Sequence, residues 1–124
     1  MRTLKTLALV IAASLLLFAC GGSSPESVVS KYLDAVKAVD LKAAKECLSK
    51  PLAVEFEEMT RDFSEDEIKE LKEENANMNV KVVRSEIDGE TAVVYLEEAH
   101  SDHSHERKIP LIKEDGQWKM NIIY

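Results

Sequence analysis

The sequence predicts an α+β fold in which N-terminal helices pack on a curved four-stranded antiparallel sheet. Apolar residues recur at steps of three and four between Pro25 and Asn75, which is the period of helices that bury one face. From Val80 onwards the period falls to two, as in half-buried strands. Two Asp-Gly dipeptides lie in this second part and predict tight hairpin turns. Helices followed by strands in this way predict one domain over residues 25–124.

The first helix begins with a strong start signal. Ser24 offers an N-cap oxygen, and Pro25 suits the first helical position because its missing N–H needs no partner there. We expect this helix to run to about Val39. Its apolar stripe consists of Val28, Val29, Tyr32, Leu33, Val36 and Val39.

Three further helices are predicted before the strands. Asp40 is placed to cap the first of them, and Pro51 interrupts the chain before the second. Ser64 and Glu67 have the spacing of a capping box at the start of the third, whose thin apolar face predicts a surface position. We expect these helices to span about 41–48, 52–61 and 65–75.

Four strands in two hairpins complete the predicted fold. Asp88-Gly89 and Asp115-Gly116 each supply the positive φ angles of a type I′ turn. Pro110 cannot donate to a ladder, so its strand is an edge there or carries a bulge. The pair Val82-Val83 breaks strict alternation and predicts a second bulge. The expected strands are Val80–Ile87, Thr91–Glu97, Ile109–Lys113 and Trp118–Tyr124.

The N-terminus predicts export and lipidation at Cys20. Two basic residues precede thirteen uncharged residues from Leu7 to Ala19. This stretch is shorter than the roughly 20 residues that a spanning helix needs, and it is typical of a cleaved signal. We expect a lipoprotein signal peptide over 1–19 and a lipidated cysteine with a flexible tether over 20–24. The alternative is ordinary cleavage near Ala19 that leaves Cys20 unmodified.

The charge of the chain bears on its partners and its location. The formal net charge is −7, and loss of Arg2 and Lys5 with the signal makes it −9. An acidic domain without a basic patch argues against nucleic acid as a partner. Anionic lipid mildly repels an acidic domain, so acyl chains on Cys20, palmitate among them, would hold the protein at the bacterial cell envelope. In a host with two membranes we expect the periplasmic face of the outer membrane.

Cys47 would be the one unmodified cysteine after processing, so no internal disulfide is predicted. It shares helical spacing with Leu41, Ala44 and Leu48, which predicts a small buried core residue. The alternative is a reactive or intermolecular thiol.

All three histidines of the chain fall within six residues, at His100, His103 and His105, with Asp102 and Glu106 among them. Imidazole and carboxylate are ligands of Zn²⁺ and related ions. Two interpretations stay open: a solvated polar connection between the hairpins, and a metal site. No cofactor other than zinc is suggested by the sequence.

Signatures of catalysis are missing from the sequence. The four glycines cannot form a phosphate-binding loop, and no nucleophile elbow is present. Tyr32, Tyr95 and Trp118 are the aromatic residues that could line a pocket, although each also fits a packing role.

Three features together resemble a known family. They are the cysteine at position 20, the helical opening Pro25–Leu33 and the ending Glu114–Met120, which contains Asp-Gly-Gln-Trp-Lys. Over residues 25–124 the chain resembles small bacterial lipoproteins of unknown function with the nuclear transport factor 2-like (cystatin-like) fold. The resemblance implies a curved sheet wrapped on a long N-terminal helix to form a cone, and no catalytic set of such folds maps onto this chain.

The expected function is therefore non-enzymatic. We expect a lipid-anchored binding or interaction module that takes a small apolar ligand or a protein partner through the cone or the sheet face. The alternative is a periplasmic metal-binding protein that uses the three histidines.

Overall fold

The computed structural model describes residues 23–100 and 102–124, so the predicted signal peptide and Cys20 lie outside the described residues. Within residues 23–124, as far as they are described, four helices precede four strands, which confirms the predicted order. None of these helices, in the part of the chain that is described, is long and apolar enough to cross a bilayer. The elements are α1 Pro25–Ala38, α2 Leu41–Glu46, α3 Lys50–Thr60, α4 Glu65–Asn75, β1 Val80–Asp88, β2 Thr91–Ala99, β3 Ser104–Glu114 and β4 Gln117–Met120.

The predicted helix caps are present. Side-chain oxygens of Ser24, Asp40 and Ser64 each accept a hydrogen bond from the backbone N–H three residues further along. Helix α3 begins two residues before the expected start, because Pro51 lies in its first turn, where its missing N–H costs nothing. The backbone N–H of Lys50 finds its acceptor in the Glu114 carboxylate on β3, 3.1 and 3.2 Å away.

The strands form the predicted four-stranded antiparallel sheet, and their order in it is β1-β2-β3-β4. Helix α1 packs against β1, β2 and β4 and also contacts α2 and α4. The core lies between this helix layer and one face of the sheet. Its most deeply buried side chains are Val29, Tyr32, Val94, Leu96, Ile109, Leu111 and Met120.

The two Asp-Gly dipeptides make different turns. Asp115 and Gly116 both have positive φ, 51° and 77°, and together they form the predicted type I′ turn. In the first hairpin Asp88 pairs with Thr91 and still belongs to β1, so the turn is centred one residue later. Only Gly89 has a positive φ there, at 62°, which is the type II′ pattern. The predicted type I′ turn at Asp88-Gly89 was therefore wrong.

The second hairpin differs from the expectation at both ends. Strand β3 begins at Ser104, five residues before Ile109, because the polar segment after His103 pairs with β2. Strand β4 ends at Met120, and the last four residues leave the sheet. Ile122, which the prediction included in this strand, is 42% exposed.

Pro110 and Val83 behave as the sequence predicted. The carbonyl of Pro110 accepts from the N–H of Asn121, beyond the end of β4, so the missing donor of the proline faces a local edge of the sheet. In β1 the register shifts between Val82 and Arg84, which makes Val83 the extra residue of a bulge.

Candidate functional site

An apolar cavity of about 210 Å³ opens between the helices and the C-terminal residues. The second half of α1 forms its floor, helices α3 and α4 form its walls, and the chain end closes one side. The lining residues are Tyr32, Ala35, Val36, Val39, Leu41, Ala44, Phe56, Met59, Thr60, Phe63, Leu71, Asn75, Ile123 and Tyr124.

The polar side chains of this apolar cavity are already engaged within the protein. The Tyr32 hydroxyl donates to the backbone oxygen of Tyr124 at 3.1 Å, and the Asn75 amide donates to the Val36 carbonyl at 2.9 Å. The Thr60 hydroxyl donates to the carbonyl four residues earlier on α3, at 2.9 Å. Because these donors already have acceptors within the protein, recognition of a ligand in the cavity depends on shape and apolar contact.

No charged side chain is among the lining residues of the apolar cavity. Burial raises the pKa of the Tyr32 phenol, so this group stays neutral at physiological pH. The pKa of Tyr124 is also raised, first by burial and then by its hydrogen bond to the Glu98 carboxylate. The cavity is therefore electrically neutral in its side chains.

Val39 adds backbone strain to the cavity wall. It ends α1 with φ 53° and ψ 41°, in the left-handed region that β-branched residues rarely adopt. Its side chain is 9% exposed and lines the apolar cavity. Strained residues of this kind concentrate at binding and catalytic sites, where the surrounding structure holds them in place.

The structure separates the three aromatic residues that the sequence offered as pocket candidates. Tyr32 lines the apolar cavity, whereas Trp118 lines a second cavity at the other end of α1. Tyr95 lies in neither, because it faces away from the helices beneath Arg84, whose guanidinium carbon is 3.6 Å from the ring centroid. The Tyr95 hydroxyl donates to Glu86 at 3.2 Å.

The second cavity, which we call the charged cleft, measures about 160 Å³. The Lys31 ammonium lies 3.8 Å from the Glu46 carboxylate, and the Lys119 ammonium donates to the Glu46 carbonyl at 2.6 Å. Its lining residues are Ser23, Ser27, Val28, Lys31, Glu46, Cys47, Gln117, Trp118 and Lys119.

Cys47 is buried, which confirms the predicted core position. It is 3% exposed, and its thiol donates to the Ala43 carbonyl at 3.5 Å. Burial raises its pKa, and Lys31 and Lys119 offset only part of that rise. A buried neutral thiol is a poor nucleophile.

The three histidines converge at the turn between β2 and β3. Their ring centroids lie 4.7 to 5.2 Å apart, and one nitrogen from each ring lies within 4.8 Å of the others. The Nδ1 atom of His103 is 2.9 Å from Asp102 Oδ1. His105 belongs to β3, so the segment is part of a hairpin of its own and not a separate polar connection between two hairpins.

Several cavity residues had no clear signal in the sequence. Phe63 precedes α4 and Leu71 belongs to it, and the sequence predicted only a surface helix there, with nothing to show that α4 would close over α1. Ile123 and Tyr124 lay within the predicted fourth strand, which hid the return of the chain end to the helices. The apolar stripe of α1 did indicate Tyr32 and Val36.

A family model for a domain of unknown function, DUF4878, matches residues 18–121, which include every described helix and strand. The chain belongs to this DUF4878 family. Because the function of this family is unknown, membership does not define the function of the chain.

A solved structure shares the fold. The crystal structure of a "putative NTF2-like transpeptidase" from Campylobacter jejuni has a TM-score of 0.52 to this chain. It has 15% sequence identity over 82% of this chain and 100% of its own. No curated protein matches the chain. At this identity the likeness shows the NTF2-like fold alone, as the resemblance of the sequence predicted.

Proposed function

We propose that this protein is a lipid-anchored bacterial envelope protein that binds a small, neutral, apolar ligand in the apolar cavity without converting it. The observation that carries the proposal is the lining itself. It has no charged side chain, and its tyrosine, threonine and asparagine donors are satisfied inside the protein. A ligand that brought a charge or several polar atoms would lose their hydration without compensation.

The size of the cavity limits the ligand class. A dry cavity of about 150 Å³ lined by aliphatic and aromatic side chains accommodates benzene. The 210 Å³ of the apolar cavity therefore suits a single substituted ring or a short branched alkyl group. A larger ligand would insert one such group and leave the rest outside, past Met59, which is 58% exposed at the rim.

The absence of a catalytic arrangement among the described residues supports a binding role. A transpeptidase that acts through a thiol or hydroxyl needs a nucleophile with a base beside it. The charged groups that influence Cys47 are Lys31, Lys119 and Glu46, and no histidine is among them. The buried Ser49 hydroxyl has no hydrogen-bond partner among the described residues, so no base activates it.

The anchor would keep the start of α1 near the bilayer. Residues 20–24 span at most about 17 Å when fully extended. Helix α1 begins directly after them and rises about 21 Å over its 14 residues. The apolar cavity contacts the later turns of α1, so it lies toward the end of this helix that is farther from Cys20 along the chain.

Ligand-observed NMR with toluene and benzoate tests the binding proposal. The two probes differ by one charged group, so we expect saturable binding of toluene and none of benzoate. The experiment uses the Cys20→Ser chain, because acyl chains and detergent would compete for an apolar probe.

Two matched variants on α3 locate the binding. Met59 and Val54 are 58% and 59% exposed, but only Met59 lines the apolar cavity. We expect Met59→Ala to weaken toluene binding by about threefold to tenfold, because the variant loses the apolar contact between this side chain and the probe. Val54→Ala should leave it unchanged. Equal binding of toluene and benzoate, or equal effects of the two variants, would contradict the proposal.

The anchor is tested separately in cells. We expect the wild-type chain to incorporate a clickable palmitate analogue and to fractionate with membranes, and the Cys20→Ser chain to do neither. Membrane recovery of the unlabelled variant would remove the anchor from the proposal and leave the ligand site standing.

A further inference from the structure

The histidine hairpin, defined here as residues 99–100 and 102–105, brings its imidazoles together through the pairing of β2 with β3. Ala99 and Ser104 are paired across β2 and β3, and the N–H of His100 donates to the carbonyl of His103 at 2.7 Å. His100 and His103 therefore occupy opposite sides of the turn. His105 follows one residue into β3, opposite Glu98.

The geometry points to a site for one divalent transition-metal ion of the Zn²⁺ class, bound by one imidazole nitrogen from each of His100, His103 and His105. Zn–N bonds of about 2.0–2.1 Å with tetrahedral angles place the nitrogens about 3.4 Å apart. In the structure these nitrogens lie within 4.8 Å of one another. All three side chains are exposed, so small χ rotations close the difference.

Asp102 supplies the outer support that a metal-binding histidine needs. Its carboxylate lies 2.9 Å from His103 Nδ1, so Nδ1 carries the proton and donates to it. This arrangement leaves Nε2 of His103 with a free lone pair for the ion. A carboxylate that fixes the tautomer in this way is characteristic of metal-binding histidines.

The donor set decides the class of ion. Three neutral imidazoles favour Zn²⁺, Cu²⁺ and Ni²⁺, whereas Mg²⁺ and Ca²⁺ prefer oxygen ligands. Three protein ligands leave a fourth tetrahedral position for water. None of the three histidines lines the apolar cavity, so the metal site does not depend on the proposed ligand.

Calorimetric titration with Zn²⁺ tests the site on the untagged, acylated mature chain in detergent, after removal of metal by chelation. We expect one ion per chain. Each single His→Ala substitution should lower the affinity tenfold or more, and the triple substitution should abolish binding. Ser104→Ala is the matched control, because Ser104 lies between two ligands on the opposite face of β3, and it should bind as the wild type does.

Histidine nitrogen NMR tests the role of Asp102. We expect His103 to bind Zn²⁺ through Nε2 and to keep its proton on Nδ1. Asp102→Asn should lower the affinity about 10–100-fold, the usual cost of losing such a partner. Ligation through Nδ1, or unchanged affinity in this variant, would overturn the positioning role.

Three results would overturn the metal site itself. The first is wild-type affinity in the triple variant, which would move binding to another group such as Cys47. The second is the lack of saturable binding of Zn²⁺, Cu²⁺ and Ni²⁺. The third is binding of Mg²⁺ as strong as that of Zn²⁺.

Discussion

The charged cleft and the apolar cavity lie at opposite ends of α1, and the same helix contributes to both. Ser27, Val28 and Lys31 from its first half line the cleft, whereas Val36 from its last turn lines the cavity. The two spaces are similar in size, at about 160 and 210 Å³. They differ in the nature of the groups that surround them.

That difference shows how each end of the helix is used. In the charged cleft Lys31 and Lys119 both interact with Glu46, so its polar groups join α1, α2 and β4 to one another. In the apolar cavity the few polar groups are satisfied and the remaining wall is aliphatic and aromatic. The cleft is therefore a polar junction between elements, and the cavity offers an unfilled apolar surface.

The largest expected effect concerns the aromatic wall of each space. Tyr32 is 1% exposed and Trp118 is 8% exposed, so Tyr32→Ala and Trp118→Ala should each lower the free energy of unfolding by about 3–5 kcal/mol. Urea denaturation measures both losses. Tyr32→Phe is the control, and it should cost only about 1 kcal/mol, the value of its hydrogen bond to Tyr124. A much smaller loss of unfolding free energy for Trp118→Ala than for Tyr32→Ala would show that Trp118 does not belong to the core. The walls of the two spaces would then differ in stability and not only in polarity.

A smaller effect is expected for the reactivity of Cys47, which lines the charged cleft. Its burial and raised pKa predict labelling by a thiol reagent about 100-fold slower in the native than in the urea-unfolded Cys20→Ser chain. This factor corresponds to a local opening of about 2.7 kcal/mol. Rates within a few fold of each other would mean that the cleft is open to solvent at the thiol.

The smallest effect is the alkaline pH dependence of stability. The pKa values of Cys47, Tyr32 and Tyr124 are raised by folding from ordinary values near 9 and 10, so the native state holds these protons more tightly than the unfolded state. Their contribution is complete below pH 9 and is lost as the pH rises through the native pKa values. Tyr32→Phe should reduce the decline above pH 10. An identical decline in this variant would show that ionisation of Tyr32 is not linked to unfolding.

The helices were predictable from the sequence because their signals are local. Ser24, Asp40 and Ser64 act on residues three positions away, and the stripe of α1 repeats within one helix. The first Asp-Gly turn was mispredicted because the dipeptide alone does not fix which residue begins the loop. The pairing of Asp88 with Thr91 sets that register, and it depends on both strands.

The candidate sites depended on contacts that the sequence does not specify locally. The clustering of the histidines in sequence was visible, but their convergence required the pairing of Ala99 with Ser104. The apolar cavity required α4 and the chain end to close over α1, through Asn75 to Val36 and Tyr32 to Tyr124. These contacts join residues 39 and 92 positions apart, which no local period can reveal.

The extra residue at Val83 lets β1 absorb a change in chain length without turning its side chains over. Val82 pairs with Leu96 and packs against the core, and Arg84 pairs with Tyr95 on the opposite face. Deleting Val83 would make Val82 and Arg84 consecutive, and consecutive residues of a regular strand face opposite sides, as these two already do. A shortened β1 would therefore keep Val82 in the core and Arg84 over Tyr95 and lose only the local twist of the bulge, so this position should tolerate both substitution and deletion.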